Sequence, residues 1–116
     1  MEVQVNIDCA DADALADFYC AALGYRRFGS AGQYRSIVPE AGTDGPKLIF
    51  QQVDEPKAVK NRVHLDLATT SAAHQADLVA RLQDLGATPA DVGQGDVSWT
   101  VLADPEGNEF DVLTPR

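Results

Sequence analysis

The feature that most constrains the fold is a pattern that occurs twice along the chain. Residues 3–8 (VQVNID) and 63–67 (VHLDL) alternate apolar and polar side chains, which is typical of strands with one buried face. Residues 11–24 and 71–86 follow them, with apolar side chains at the spacing of an amphipathic helix. Both helical stretches end in Leu-Gly. The sequence therefore predicts two copies of a strand-helix unit.

Further strands are expected after each helix. In the first half residues 33–38 and 47–53 flank a turn-rich loop, and in the second half residues 97–103 and 108–113 flank the turn DPEG. Weaker strands are expected near residues 26–28 and 88–92. Aligning Gln4 with His64 puts two extra residues between strand and helix in the second half.

These elements predict an α+β fold of two βαβββ modules. Module one covers about residues 1–56 and module two about residues 61–116, and the length of 116 residues suits a single domain. The two helices must cover the apolar faces of the strands, so the polar faces should lie on the open side of the sheet. The polar residues expected on that open side are Gln4, Asn6, Asp8, His64, Asp66, Glu109 and Asp111.

Composition excludes several classes of function. The net charge is −9, from 18 acidic and 9 basic residues, which argues against binding to nucleic acid or to anionic membranes. No apolar run is long enough to span a bilayer, and the start of the chain lacks a secretory pattern, so we expect a cytoplasmic protein. Lys57, Lys60 and Arg62 form the one basic cluster, either a solvated linker or a cationic rim for an anionic small molecule.

Three segments carry a resemblance to a known family. They are residues 11–25 (DADALADFYCAALGY), residues 63–67 and residues 99–113 (WTVLADPEGNEFDVL). Together they resemble the vicinal oxygen chelate superfamily, which includes glyoxalase I, bleomycin-resistance proteins and extradiol dioxygenases, and above all its short glyoxalase-like members. The resemblance covers essentially the whole chain. It implies a cup-shaped mixed sheet with the helices on its outer face, a small organic molecule in the cup, and a homodimer.

The resemblance also implies four metal-ligand positions, on the first and last strands of each module. They fall on Gln4, on His64, on Asp111, and on Phe50 or else Gln51. His64 and Asp111 are ligand-type residues, Gln4 is a weaker one and Phe50 is none. Because a catalytic zinc usually has three protein ligands, the set is incomplete and argues against a divalent metal, so the cofactor is unknown.

Three functions follow as alternatives. The first is a metal-free protein that binds a small organic molecule, with no nucleic-acid or membrane partner. The second is a metal-dependent lyase, isomerase or dioxygenase with His64 and Asp111 as catalytic residues, and the third is a metal-free acid-base enzyme that uses His64. Whether the protein is an enzyme stays open. The metal candidates are His64, Asp111 and Gln4, and the ligand-binding candidates are Gln4, Asn6, Asp66, Trp99, Tyr34 and Phe50, with Trp99 and Tyr34 as aromatic walls.

Overall fold

The computed structural model describes residues 1–115 and divides the chain into two compact units, Met1–Pro56 and the residues from Lys57 onward. The first unit forms a four-stranded sheet in the order β1-β4-β3-β2. Its β1 pairs in parallel with β4, and the other neighbours are antiparallel. Its elements are β1 (Gln4–Cys9), α1 (Ala12–Leu23), β2 (Tyr25–Ala31), β3 (Tyr34–Pro39) and β4 (Lys47–Gln52).

The second unit repeats this topology with shorter strands. Its sheet has the order β5-β8-β7-β6, with β5 parallel to β8. The α+β class and the two βαβββ modules are thus confirmed, and the mixed sheet consists of two four-stranded sheets. The elements of the second unit are β5 (Asp66–Leu67), α2 (Ala72–Asp84), β6 (Thr88–Pro89), β7 (Thr100–Ala103) and β8 (Glu109–Val112).

The helix boundaries follow from capping residues. The Asp11 side chain accepts a hydrogen bond from the Ala14 backbone N–H, and the Ser71 side chain accepts one from that of His74, each at 3.0 Å. Since these N-caps lie 60 positions apart, as Gln4 and His64 do, the expected two-residue insertion between strand and helix is wrong. The extra length lies at the other end of the helix, because α2 has 13 residues and α1 has 12.

Each helix covers one face of its own sheet. In the first unit α1 packs on β2, β3 and β4, and the Tyr19 ring stacks on the fully buried Phe50 at 5.6 Å between ring centroids. In the second unit α2 contacts β8, and its Leu82 is fully buried. Burying each of these large apolar side chains stabilises the fold by about 1.5–3 kcal/mol. The other fully buried side chains in the second unit are Leu102 and Val112, with Phe110 almost so.

The first strand of module two is shorter than expected. Only Asp66 and Leu67 form β5, and Val63, expected on the buried face, is 81% exposed. The reason lies in the partner strand. The Glu109 carboxylate at the start of β8 accepts the Asn61 backbone N–H, which holds the incoming chain through a side chain rather than through a sheet ladder.

Two further observations concern the cysteines and membranes. Cys9 is buried and its thiol donates to the Gln51 carbonyl at 3.5 Å, Cys20 is partly buried, and neither forms a disulfide within the described part of the chain. Among the described residues, no helix has the length and apolar character needed to cross a bilayer.

Candidate functional site

The open face of module one carries amide and aromatic side chains. Asn6 on β1 donates a hydrogen bond from Nδ2 to Oε1 of Gln51 on β4, at 3.2 Å. Tyr34 pairs with Gln51 in the antiparallel register and is 40% exposed, so its ring lies on this open face. Gln4 lines a separate cavity of about 570 Å³ in module one, together with Phe28 and Lys47. Asn6, Gln4 and Gln51 offer neutral amide groups, and Tyr34 a phenol, rather than the carboxylate or imidazole groups that usually hold a metal.

The placement of Phe50 on the open face is wrong. Phe50 is fully buried and stacks on Tyr19 of α1, because its side chain points to the helix-covered face of β4. Gln51, the other residue expected at this ligand position, lies on the open face. Phe50 is therefore a core residue, and a ligand on the open face of the sheet cannot contact it.

In module two three ionisable side chains converge. His64 lies two residues before Asp66, and Asp66 pairs with Asp111 in the parallel register of β5 and β8. The Nδ1 atom of His64 lies 3.0 Å from Oδ1 of Asp66 and 3.0 Å from Oδ2 of Asp111. One donor atom from each of the three residues lies within 4.8 Å of the other two. A single imidazole nitrogen is thus shared between two carboxylates.

This crowding changes the acidity of Asp111. Its side chain is only 13% exposed, against 44% for Asp66 and 39% for His64. Burial is the main cause that raises the pKa of Asp111, and its hydrogen bond and charge interaction with Asp66 raise it further. The charges of His64 and Lys60 oppose this rise without cancelling it. The Asp111 carboxyl group therefore holds a proton more readily than an isolated carboxyl group would.

The cluster lies in an open cavity of about 370 Å³. Trp99 forms part of its wall and is 40% exposed, so an aromatic face is available to a ligand. Both apolar and polar groups line the cavity, as in sites that bind small organic molecules. The lining residues besides the cluster and Trp99 are Lys60, Val92, Gln94, Val101 and Glu109.

Glu109 points into the same cavity but its oxygens are already engaged. Oε1 forms an ion pair with Lys57 Nζ at 2.6 Å, and Oε2 accepts the Asn61 backbone N–H at 2.9 Å. Burial alone would raise the pKa of Glu109, yet these two partners outweigh it and lower the pKa. Glu109 is therefore held ionised by the preceding segment, in contrast to Asp111 two residues later.

The two modules differ at matching places. Asn6 pairs with Ile49 in module one as Asp66 pairs with Asp111 in module two. With the 60-residue offset of the N-caps, this register places Gln4, Asn6 and Ile49 where module two has His64, Asp66 and Asp111. Among the described residues, the grouping of three ligand-type side chains therefore occurs in module two alone.

The donor set fits a divalent cation. One imidazole nitrogen and two carboxylates are ligands that Mn²⁺, Fe²⁺ and Zn²⁺ accept. Adjacent ligands of an octahedral ion with bonds of about 2.1 Å lie about 3 Å apart. The two separations of 3.0 Å at His64 Nδ1 match that spacing.

Comparison with known proteins agrees with this architecture. The family model described as "Glyoxalase-like domain" matches residues 4–113. The chain belongs to this family. The βαβββ modules and the structural relatives below also agree with the resemblance to the vicinal oxygen chelate superfamily. No curated protein sequence matches the chain.

Solved structures with the same fold include proteins of several kinds. A glyoxalase/bleomycin resistance protein/dioxygenase family enzyme from Burkholderia phytofirmans PsJN has 22% identity and a TM-score of 0.73, with 94% of each chain covered. A possible glyoxalase from Bacillus cereus has 18% identity and a TM-score of 0.74, with 97% of each chain covered. FosX from Listeria monocytogenes, a fosfomycin resistance protein solved with Mn(II) and sulfate, has 11% identity and a TM-score of 0.76, covering 100% of this chain and 93% of that one. At these identities the likeness concerns the fold.

In the sequence of this glyoxalase-like protein, Asp66 is a ligand-binding candidate and not a metal candidate, although the alternation in residues 63–67 puts it on the same face as His64. The structure brings His64, Asp66 and Asp111 together, while Gln4 lies on β1 of module one. The anchoring of residues 57–61 by Glu109 has no local sequence signal, because it joins residues 48 positions apart.

Proposed function

We propose that this glyoxalase-like protein binds a divalent cation through His64, Asp66 and Asp111, and a small oxygen-bearing organic molecule in the same cavity. The observation that carries the proposal is the single His64 nitrogen 3.0 Å from both carboxylates. Asp66 supplies the third donor that the set of His64 and Asp111 lacked. Three protein donors leave coordination positions for the ligand, as catalytic metal sites do.

Each residue has a role in this proposal. A bound cation would polarise an oxygen of the ligand as a Lewis acid. Asp66 and Asp111 supply the negative charge that balances it, and the raised pKa of Asp111 makes protons compete with the cation for that carboxylate. Trp99 provides a flat apolar surface against the organic part of the ligand, and Val92 and Val101 extend that surface within the cavity.

A metal-free acid-base function is the second candidate. Both carboxylates lie against Nδ1 of His64, which fixes the ring in the way that carboxylates orient catalytic histidines. The other ring nitrogen, Nε2, would then exchange a proton with a ligand. In this alternative the cavity binds its organic molecule without any metal.

Thermal unfolding of the chelator-stripped protein decides between the two candidates. We expect Mn²⁺, Zn²⁺ or Fe²⁺ to stabilise the wild type by about 2.7 kcal/mol at a hundredfold excess over the dissociation constant. His64→Ala and Asp111→Ala should lose this shift, while Asp8→Ala, which removes an exposed carboxylate of module one, should keep it. No shift with any of these metals would refute the metal proposal and leave the metal-free functions, binding alone or acid-base chemistry. The homodimer and the cytoplasmic location remain predictions.

A further inference from the structure

The segment before His64 is fastened to β8 by one carboxylate. Glu109 is nearly buried, with a side chain 10% exposed. One of its oxygens contacts the Lys57 ammonium, which also donates to the Val59 carbonyl, and the other accepts the Asn61 backbone N–H. Residues 57–61 are thereby tied at both ends to a strand that lines the cavity, although they form no helix or strand themselves.

Lys60 lies inside this tied segment and on the cavity wall. Its ammonium donates one hydrogen bond, to the neighbouring Asn61 carbonyl at 2.8 Å. An ammonium has three donor hydrogens, so it can still donate to a ligand. A lysine on a free linker would sample many positions, whereas the two Glu109 contacts restrict the backbone on either side of this one.

The charge distribution makes this position unusual. The chain carries 18 acidic and 9 basic residues, yet Lys57, Lys60 and Arg62 lie within six positions of one another. Lys57 is neutralised by Glu109, and Lys60 is the basic residue that lines the module-two cavity. The cavity therefore presents a cation site and a separate fixed positive group.

From these observations we propose that the ligand carries an oxyanion, such as a carboxylate or a phosphate, which Lys60 binds, and that Glu109 is the positioning residue that holds Lys60 in the cavity wall. The proposal rests on the proposed function, because without a bound cation the Asp66 and Asp111 carboxylates would repel an anion. The bound cation and Lys60 would together select anionic ligands over neutral ones of the same size.

The test uses the fluorescence of Trp99, the one tryptophan of the chain, which lies in the wall of the same cavity. Mn²⁺ binding is measured first by the thermal shift. The Mn²⁺-loaded protein is then titrated with sulfate, and with dimethyl sulfone as a neutral molecule of similar shape, at constant ionic strength. We expect saturable binding of sulfate and none of dimethyl sulfone at the same concentrations.

Variants separate a specific contact from general charge. Lys60→Gln should weaken sulfate binding about tenfold, the loss of one charge-assisted hydrogen bond, and should leave Mn²⁺ binding equal or tighter. Lys60→Arg should retain most of the sulfate affinity. Arg62→Gln makes the same charge change two residues away, at a residue that does not line the cavity, and should change the affinity by about twofold at most.

Glu109→Gln tests the positioning role through the sign of its effect. Removing an acidic group should strengthen anion binding if charge alone matters. The positioning role predicts weaker sulfate binding, because the ion pair with Lys57 is lost and Lys60 is released. Circular dichroism and the Mn²⁺ shift test whether the variant is folded. If it is unfolded, the Lys60 and Arg62 variants still test whether Lys60 binds the anion.

The outcomes are distinguishable. A wild type that shows no Mn²⁺ shift refutes the proposed function and this inference with it. A normal Mn²⁺ shift without sulfate binding, or equal losses in Lys60→Gln and Arg62→Gln, overturns the inference alone. Tighter sulfate binding by a folded Glu109→Gln overturns the positioning role.

Discussion

Asp111→Asn is expected to stabilise the metal-free protein. The asparagine has nearly the same shape as the carboxyl group and cannot ionise, so it avoids the cost of ionisation that the raised pKa of Asp111 implies. Its amide can still accept from His64 and donate to Asp66. The variant therefore removes the repulsion between two carboxylates without leaving a cavity.

The magnitude follows from the exposure of the cluster. Two unit charges about 4 Å apart repel by about 1 kcal/mol in water and about 4 kcal/mol at an effective dielectric constant near 20. Asp66 is 44% exposed and His64 39% exposed, which places the interaction near the lower figure. We therefore expect a gain of about 1 kcal/mol, or a melting temperature about 4 °C higher.

The pH dependence of stability shows whether the ionised Asp111 stabilises or destabilises the folded protein. The pKa of Asp111 is raised in the folded protein above its unfolded value near 3.9, so ionising it costs stability. The wild type should lose this stability as the pH rises from about 3.9 through the raised folded pKa, and the variant should not. Calorimetric melting of both chelator-stripped proteins should show equal stability at about pH 3.5. At about pH 8 the Asp111→Asn variant should be more stable than the wild type.

The opposite result would refute the reasoning. If Asp111→Asn melts below the wild type at neutral pH, Asp111 must be stabilised as a carboxylate by a protonated His64. The variant should also lose the Mn²⁺-induced shift. An undiminished shift would show that Asp111 is no metal ligand, whatever its effect on stability.

Three further predictions concern the core, the helix end and the metal equilibrium. Phe50→Ala should destabilise the protein by about 3–5 kcal/mol in denaturant unfolding, because it leaves a cavity at a fully buried site against Tyr19. A loss under about 1 kcal/mol would contradict the burial of Phe50 and indicate that it lies on the open face. Gly24→Ala should cost about 1 kcal/mol, since Gly24 ends α1 at φ 69°, and an unchanged denaturation midpoint would contradict that conformation. Mn²⁺ affinity should rise with pH because protons compete with the metal for the carboxylate of Asp111, whose pKa is raised, and calorimetry in buffers of different ionisation enthalpy should detect the protons released. An affinity independent of pH, without proton release, would contradict the raised pKa.

Much of the fold could be predicted from local patterns. The alternation in residues 3–8 and the apolar spacing in residues 11–24 specify a strand and a helix without any tertiary information. The caps Asp11, Ser71 and Gly24 are equally local features of the sequence. The short β5 was not predictable, because the tie between Asn61 and Glu109 depends on a contact across 48 positions.

The residues of the candidate site could be predicted from the sequence, but the contacts between them could not. His64 and Asp66 share a face by alternation alone, and Asp111 follows from the last strand. The register of β4 could not be fixed from the sequence, since FQQ offers two phases, and the packing of Phe50 on Tyr19 decides between them. The contacts of Glu109 with Lys57 and Asn61, which Asp111 does not make, also depend on the path of residues 57–61 and could not be predicted from the sequence.

The most direct test of the central claim is isothermal titration of the chelator-stripped chain with Mn²⁺, in the wild type and in Asp66→Asn. Asp66 is the donor whose position next to His64 and Asp111 completes the set. The account predicts one Mn²⁺ bound per chain, with affinity lost in Asp66→Asn and kept in the matched module-one variant Asp8→Asn. Equal Mn²⁺ binding by all three proteins, or binding by none, would contradict it.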